Sequence, residues 1–220
     1  MFFGDLVLNS LAVLYPVLAT VAAYLIGSLS FAVIVSRVMG LNDPRTYGSK
    51  NPGATNVLRS GSKPAAVVTL LLDAAKGWLP VALVAWYGRA WGLAEGTMAM
   101  AGLAAFVGHL FPVFFRFQGG KGVATALGVL FGIHWGLGLA TAASWLIIAW
   151  FFRYSSLASL VAALFAPLYY VFGDGVAWSM DRGILVAIVV MALLLVWRHA
   201  QNINRLVKGT ESRLGAKKAG

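Results

Sequence analysis

The sequence predicts an all-α protein that crosses a membrane about seven times and forms one domain over residues 1–220, with the N-terminus outside and the C-terminus in the cytoplasm. Three observations lead to this prediction. Hydrophobic residues make up 60% of the chain and charged residues only 11%, with a mean hydropathy of +0.82. Long apolar runs alternate with short polar stretches, which is the pattern of transmembrane helices. Basic residues are concentrated in alternate polar stretches.

The apolar runs give the order of the predicted helices. Residues 123–152 form the longest run, and its centre, "GIHWGLG", holds three glycines and a histidine. Such a centre favours a turn between two short helices, although one long helix or a re-entrant pair is an alternative. The remaining predicted spans cover residues 11–35, 64–87, 97–115, 157–172 and 183–197.

Charge chooses among these alternatives. If residues 36–63 are cytoplasmic, two helices within 123–152 place 14 of the 17 Lys and Arg inside, as the positive-inside rule requires. A re-entrant pair gives the same sidedness, whereas one long helix would put the basic tail outside. Arg89 and Arg182 would lie outside, and Lys76 within a span. The net charge of +10 is attributed mainly to this rule, so we expect no nucleic-acid partner.

The residue inventory limits the chemistry of any site. The chain has no cysteine, which excludes disulfides and thiolate chemistry. Its three histidines are scattered and no carboxylates cluster with them, so we expect neither a metal nor another cofactor. His109 is either a structural histidine or part of a site, and we interpret His134 as structural. Asp73 and Lys76, three residues apart within a span, are interpreted as a buried ion pair that holds helices together.

Residues 48–61, "GSKNPGATNVLRSG", show neither helical nor strand periodicity and are rich in hydrogen-bond donors. Glycines let the backbone approach a ligand, Ser, Thr and Asn add neutral donors, and arginine grips phosphate. The stretch therefore predicts an anion site, although turns and lipid head groups are the alternative explanation. The candidate ligands are Ser49, Asn51, Gly53, Thr55, Asn56 and Arg59.

Lys121 lies in "QGGKGVAT", which resembles a nucleotide-binding P-loop but departs from it twice. Phe115 occupies the position of the first glycine and Gly122 follows the lysine, where Ser or Thr is required. Lys121 still follows Gly119 and Gly120 just before a predicted helix, so its ammonium and the helix N-terminus can meet one anion.

The C-terminal segment adds a third group of polar residues. His199, Asn202 and Arg205 are three residues apart and would share one face of a helix at the inner surface, although a solvated helix face is the alternative. Ser155 and Ser156 lie in a further polar stretch. All these stretches fall on the predicted cytoplasmic side, so we expect them to converge.

Other function classes remain open on the residues alone. An anion transporter or channel would also have cations at one face, but it should carry polar groups through the membrane midplane, where this chain offers only Asp73 and Lys76. A purely structural membrane protein would leave the clustered donors unexplained.

The stretches "GSKNPGATNVLR", "GHLFPVFFRFQGGKGVAT" and "HAQNINRLVKGTE" closely resemble the three signature segments of the bacterial acyl-phosphate:glycerol-3-phosphate acyltransferases. "GSLSFAVIVSR" and "DAAKG" extend the likeness over nearly the whole chain. The resemblance implies a seven-helix enzyme of the bacterial cytoplasmic membrane. Its substrates would be acyl phosphate and glycerol 3-phosphate, and its active site would face the cytoplasm. Its products would be lysophosphatidic acid and phosphate.

The resemblance also assigns roles. It implies catalytic functions for Ser49, Arg59, Lys121, His199 and Asn202, and phosphate binding by Asn51, Thr55 and the Ser155–Ser156 pair. Gln118 departs from the family, which usually has lysine there, and this places more weight on Lys121. The family needs no covalent acyl-enzyme and implies no obligate protein partner. The proton of the attacking hydroxyl would pass to His199 or to a substrate phosphate oxygen.

Overall fold

The computed structural model describes residues 14–215, and every helix and contact below belongs to them. Within this range the regular structure is helical and no β-strand forms, which confirms the predicted all-α class. The α-helices, in chain order, are α1 Tyr15–Gly27, α2 Phe31–Val38, α3 Ala54–Leu58, α4 Lys63–Tyr87, α5 Glu95–Leu110, α6 Val123–Ile133, α7 Trp135–Phe152, α8 Ser155–Phe172, α9 Arg182–Arg198 and α10 Ala200–Val207.

Four stretches among these residues are long and apolar enough to cross a membrane by themselves. They are α4 with the 3-10 turn that follows it, α5 with its own 3-10 turn, α7, and α8. Two bent pairs, α1–α2 at 44° and α9–α10 at 57°, raise the total to six if each pair is one span. Helix α6 is shorter, at 11 residues, or about 16 Å at 1.5 Å per residue.

The predicted break within residues 123–152 is present, but only one of the two helices is short. His134 separates α6 from α7 and caps α7, because its Nδ1 accepts a hydrogen bond from Gly136 N at 3.1 Å. The glycines on either side do not make the turn. Gly132 and Gly138 lie inside the helices and leave room for Val81 and Phe131, respectively. The structural role predicted for His134 is confirmed.

The first predicted span covers residues 11–35, of which residues 11–13 lie outside the described range. Its described part is a bent pair, because the helix stops at Gly27 and resumes at Phe31. The break leaves the Leu29 carbonyl outside regular helix, and Lys76 Nζ donates to it at 2.6 Å. A buried lysine therefore compensates for an interrupted backbone ladder.

Helices α4 and α6 approach each other closely because both carry glycine at the contact. A Cβ at Gly77 would collide with the carbonyl oxygen of Thr125, and one at Gly128 with that of Ala74. One large cluster of apolar side chains fills the space between α4 and α9, with Phe106, Leu110 and Ile188 almost fully buried. This packing holds the residues just before α6, next to Lys121, against the end of α5, where Gly122 lies next to Phe106 and Leu110.

The helices form three out-and-back pairs, α4–α5, α6–α7 and α8–α9. Each pair begins and ends near the same polar surface. Contacts there join the residues before α6, those between α7 and α8, and those after α9. Arg59, before α4, and His109, near the end of α5, also make contacts there. We refer to this surface as the polar face. The predicted parity of seven spans, in which the polar loops lie on one side of the membrane, stays a prediction.

Candidate active site

Segments that are far apart in sequence meet at the polar face, as the sequence predicted. Lys121, between the glycines before α6, donates from Nζ to Asn202 Oδ1 on α10. Arg59 Nη2, after α3, donates to Ser212 Oγ at 2.8 Å. Arg153, between α7 and α8, bonds through Nη2 to the Leu214 carbonyl at 3.0 Å. The C-terminal segment thus contacts each of the other three polar stretches.

A carboxylate, Glu211, lies at the centre of this cluster. Its Oε1 accepts hydrogen bonds from Asn202 Nδ2 at 2.6 Å and from Ser156 Oγ at 2.7 Å. Its Oε2 accepts one from Arg205 Nε at 2.7 Å. The side chain of Glu211 is only 7% exposed. Three of the candidate site residues therefore hold a carboxylate of the protein itself, and their binding of a substrate phosphate stays a prediction.

The local electrostatics follow from this cluster. Burial lowers the pKa of Lys121 to about 8, with Arg205 the next cause, although Glu211 acts in the opposite direction. Burial alone would raise the pKa of Glu211, but hydrogen bonds from Ser156, Asn202 and Arg205 outweigh it and hold that pKa below its ordinary value. At neutral pH the site therefore holds a charged lysine whose proton is easier to lose than usual.

The loop before α3 is held by Asn56, which was predicted to bind substrate. Asn56 is almost fully buried. Its Nδ2 donates to the carbonyls of Pro44 and Tyr47, at 2.6 and 3.2 Å, and its Oδ1 accepts from Ser49 N at 3.0 Å. Because these bonds use its amide donors, Asn56 braces the loop, and the structure corrects its predicted role as a ligand.

His199 lies at the joint between α9 and α10 and is buried. Its Nδ1 lies 2.8 Å from the Leu195 carbonyl oxygen. A carbonyl only accepts, so Nδ1 carries the proton and Nε2 keeps its lone pair. The expected helix face is therefore only partly correct: Asn202 and Arg205 share the face toward Glu211, whereas the Nδ1 of His199 is directed back to α9. The Nε2 of His199 therefore has a lone pair with which it can accept a hydrogen bond.

The glycine loop before α6 is held from two sides. Gly120 N donates to the His109 carbonyl at 3.2 Å. Arg198 Nη2 donates to the carbonyls of Gly119 and Gly120 at 2.8 and 3.0 Å. A Cβ at Gly119 would collide with the His109 and Leu110 carbonyls, so this position requires glycine. These contacts fix the backbone immediately before Lys121.

The other predicted residues lie at the rim. Thr55 and the side chain of Ser49 are exposed, and Asn51 and Gly53 are partly exposed. Ser155, at the start of α8, is half-buried, and its carbonyl accepts a hydrogen bond from Ser159. The structure therefore joins Lys121, Asn202, Arg205 and Ser156 around Glu211, with Arg59 close by. It leaves the remaining candidates on the surrounding loops.

A second polar cluster lies behind the site. Asp73 and Lys76 form the predicted ion pair, with Oδ1 and Nζ 2.8 Å apart. His109 Nδ1 lies 3.1 Å from Thr125 Oγ1 and 3.7 Å from Asp73 Oδ1. The histidine is therefore part of a buried network that joins α4, α5 and α6, and its backbone supports the glycine loop. These groups contact one another and the break in α1–α2, as expected for a buried ion pair that holds helices together.

Sequence reasoning missed two residues. Glu211 ends the third signature segment, and a lone acid among so many cations is a usable signal. Arg198 had no predicted role beyond its charge. Its contacts depend on a loop 78 and 79 residues earlier in the chain, and local sequence pattern does not reveal such pairings.

Comparisons with known proteins decide the family. The family described as "Glycerol-3-phosphate acyltransferase" matches residues 17–209. The chain belongs to the glycerol-3-phosphate acyltransferase family. It is 72% identical, over 96% of its own length and 94% of the relative, to the glycerol-3-phosphate acyltransferase of Albidiferax ferrireducens. The corresponding protein of Bordetella petrii is 64% identical over 89% of this chain and 92% of that one.

Solved structures agree with the family assignment. The crystal structure of PlsY, an integral membrane glycerol 3-phosphate acyltransferase in its glycerol 3-phosphate form, is 38% identical. It superposes with a TM-score of 0.83 over 91% of this chain and 96% of that one. Its lysophosphatidic acid form gives a TM-score of 0.80 at 37% identity, over 91% and 95%. This glycerol-3-phosphate acyltransferase family member is therefore a multi-pass membrane enzyme of phospholipid synthesis that transfers an acyl group to glycerol 3-phosphate.

Proposed function

We propose that the chain transfers a fatty acyl group from acyl phosphate to the sn-1 hydroxyl of glycerol 3-phosphate, giving lysophosphatidic acid and inorganic phosphate. The observation that carries this proposal is the cluster around Glu211. Lys121, Arg59 and Arg205 converge with Asn202 and Ser156 at the end of an apolar helix bundle. A site that holds a carboxylate with an arginine and neutral donors has the chemistry to hold a phosphate.

The reaction joins two phosphate-bearing molecules. The sn-1 oxygen attacks the acyl carbonyl carbon, the bond from that carbon to the phosphate oxygen breaks, and phosphate leaves. Acyl phosphate is a mixed anhydride with a good leaving group, so the reaction requires no covalent acyl-enzyme. Holding both reactants together offsets lost translational entropy, and Lys121 and Arg59 offset the repulsion between their charges.

The hydroxyl proton needs an acceptor. His199 Nε2 keeps its lone pair because Nδ1 is hydrogen-bonded to the Leu195 carbonyl. We assign Nε2 as the acceptor of the proton that leaves the substrate hydroxyl. A phosphate oxygen of the substrate is the alternative acceptor. The remaining site residues have supporting roles in this proposal. Asn202 orients Lys121, Ser49 and Arg59 face the leaving phosphate, and Asn51, Gly53, Thr55 and Ser155 line the entrance for glycerol 3-phosphate.

The proposal includes the setting of the site. Fourteen of the 17 lysines and arginines would lie on the cytoplasmic side if residues 36–63 do, as expected for the bacterial inner membrane. The polar face would then meet both water-soluble phosphate groups, while the acyl chain would remain among apolar helices. One domain of residues 1–220 would contain the whole activity.

The test is direct. Purified protein in detergent is given glycerol 3-phosphate with acyl phosphate, acyl-CoA or acyl carrier protein thioester, and lysophosphatidic acid and phosphate are measured. We expect product only from acyl phosphate, in equal amounts with phosphate, and undiminished by a strong chelator. Product from a thioester alone would refute the proposed donor, and loss of activity that magnesium or zinc restores would refute a metal-free mechanism.

A further inference from the structure

Arg198, the last residue of α9, makes contacts that the proposed chemistry does not use. Its Nη2 donates to the Gly119 and Gly120 carbonyls at 2.8 and 3.0 Å, and its Nε lies 3.2 Å from the Gly120 carbonyl oxygen. The guanidinium carbon lies 5.9 Å from the ring centre of Phe111 and 5.8 Å from that of Trp197. Arg198 is thus bound to backbone and supported by aromatic rings.

Arginine suits this position for a geometric reason. Its planar fork presents several donors in fixed directions, so one side chain can grip two successive carbonyls. On the far side of the loop, the His109 carbonyl accepts from Gly120 N, and His109 and Leu110 fill the space a side chain at Gly119 or Gly120 would need. The two residues before Lys121 are therefore held between Arg198 and α5.

These contacts limit the positions that the Lys121 ammonium can occupy. Lys121 directly follows the held glycines, and Gly122 after it has φ +83°, a conformation that favours glycine. A lysine side chain is long and flexible, so its ammonium is positioned only if the backbone and the far end are both fixed. Arg198 fixes the backbone, and Asn202 meets the ammonium.

We propose that Arg198 is a positioning residue for acyl transfer, which holds the Gly119–Gly120 backbone so that the Lys121 ammonium stays at the reacting phosphate. The inference rests on the proposed function, since it concerns the same site. Arg198 acts through Lys121 and need not touch either substrate.

A double-mutant cycle tests the proposal. Arg198→Gln, Lys121→Ala and the double variant are purified, and kcat/KM for acyl transfer is measured for each. We expect Arg198→Gln to lower kcat/KM of the wild type about 10- to 100-fold. In the Lys121→Ala background, the same substitution should lower kcat/KM by less than about threefold further, because the effects of coupled residues are not additive. Arg198→Lys keeps the charge and one donor nitrogen in place of the planar fork, and it should recover part of the loss. The matched control is Arg116→Gln, an exposed cation three residues before Gly119, which should leave the rate unchanged.

The pH profile gives a second readout that a purely structural role would not move. The charged groups that act on Lys121 are Arg205, Glu211, Arg198 and Arg59. Arg198→Gln removes one like charge and leaves the other three, so the pKa of Lys121 should rise. The fall of kcat/KM at alkaline pH should then move to higher pH, and Arg116→Gln should not move it.

The outcomes separate the two proposals. If wild type makes no lysophosphatidic acid from acyl phosphate, the proposed donor is wrong, and the cycle is run with the donor that wild type uses. If wild type is active but the effects of the two substitutions on kcat/KM multiply independently, Arg198 does not act through Lys121. Normal activity of Arg198→Gln would lead to the same conclusion. If Arg198→Gln does not fold, as judged by gel filtration and thermal unfolding, the same cycle with Arg198→Lys decides.

Discussion

Lys121 is the one lysine among the described cations of the candidate site, and its ammonium contacts Asn202. A charge-assisted hydrogen bond contributes about 1.5–3 kcal/mol, and each 1.36 kcal/mol corresponds to a factor of about ten in rate. Lys121→Ala should therefore lower kcat/KM about 10- to 100-fold or more in the detergent assay. Lys121→Arg should also be impaired, because a planar fork does not replace a compact ammonium between glycines. Lys63→Ala, an exposed lysine at the start of α4, is the control. Near-normal activity of Lys121→Ala at saturating substrate would make Lys121 only a topology signal.

The same lysine predicts a pH dependence. Burial first, and Arg205 next, lower the pKa of Lys121 to about 8, and only the protonated form carries the positive charge. The kcat/KM of the free enzyme should therefore fall as pH rises through about 8. Lys121→Arg stays charged over this range, so its lower residual activity should show no such fall. An unchanged alkaline limb in Lys121→Arg would assign the titration to another group.

His199 is open to a substitution that separates its two ring nitrogens. The amide of His199→Asn can still donate to the Leu195 carbonyl, as Nδ1 does, but it has no counterpart of Nε2. If Nε2 accepts the hydroxyl proton, His199→Asn should lose about 100-fold or more of kcat, as general-base removal typically costs, and resemble His199→Ala. A kcat near wild type would show that a substrate phosphate oxygen takes the proton.

At the scale of helices, the close contact of α4 with α6 is a sharp test of the packing. A side chain at Gly128 would meet the backbone carbonyl of Ala74, which cannot move aside as a side chain can. Gly128→Leu should therefore destabilise the protein by at least about 1–3 kcal/mol, which is the usual effect of overpacking a core. Thermal unfolding in detergent measures this loss. Gly96→Ala on α5 meets no neighbour within 4 Å and should leave the unfolding temperature unchanged or higher. Equal stability of both variants would contradict this packing.

Helices were predictable to different degrees for physical reasons. The apolar runs that became α4, α5 and α8 were identified because hydropathy reports burial in lipid directly. The break after Gly27 was missed because "GSLS" interrupts the run by few residues, and the Lys76 contact that stabilises it comes from another helix. The site was predictable where charge and donors cluster locally, as at Lys121 and Asn202. It was not predictable where a side chain serves distant backbone, as with Asn56 and Arg198.

For the whole molecule, the sidedness of the polar face can be measured because the chain has no cysteine. Single cysteines at Asn42 or Thr210, both exposed and on the predicted cytoplasmic side, should resist a membrane-impermeant thiol reagent in intact cells. A cysteine at Val176, which is 86% exposed in the turn between α8 and α9, should react. Opening the cells should label all three. Labelling of Thr210→Cys from outside would contradict both the predicted seven-span parity and the cytoplasmic site.

The long-range pairing of Lys121 with Asn202 also has a consequence in time. The two residues are 81 positions apart, and Ser156 and Glu211 are 55 apart. During synthesis the loop with Lys121 is therefore complete well before its partners exist. A nascent chain that has inserted its helices up to α8 contains Lys121 but not yet α10, which carries Asn202. Catalytic competence must arise late in translation, after the last helices have been inserted, and a chain that stops before Glu211 would place its helices in the membrane without forming the site.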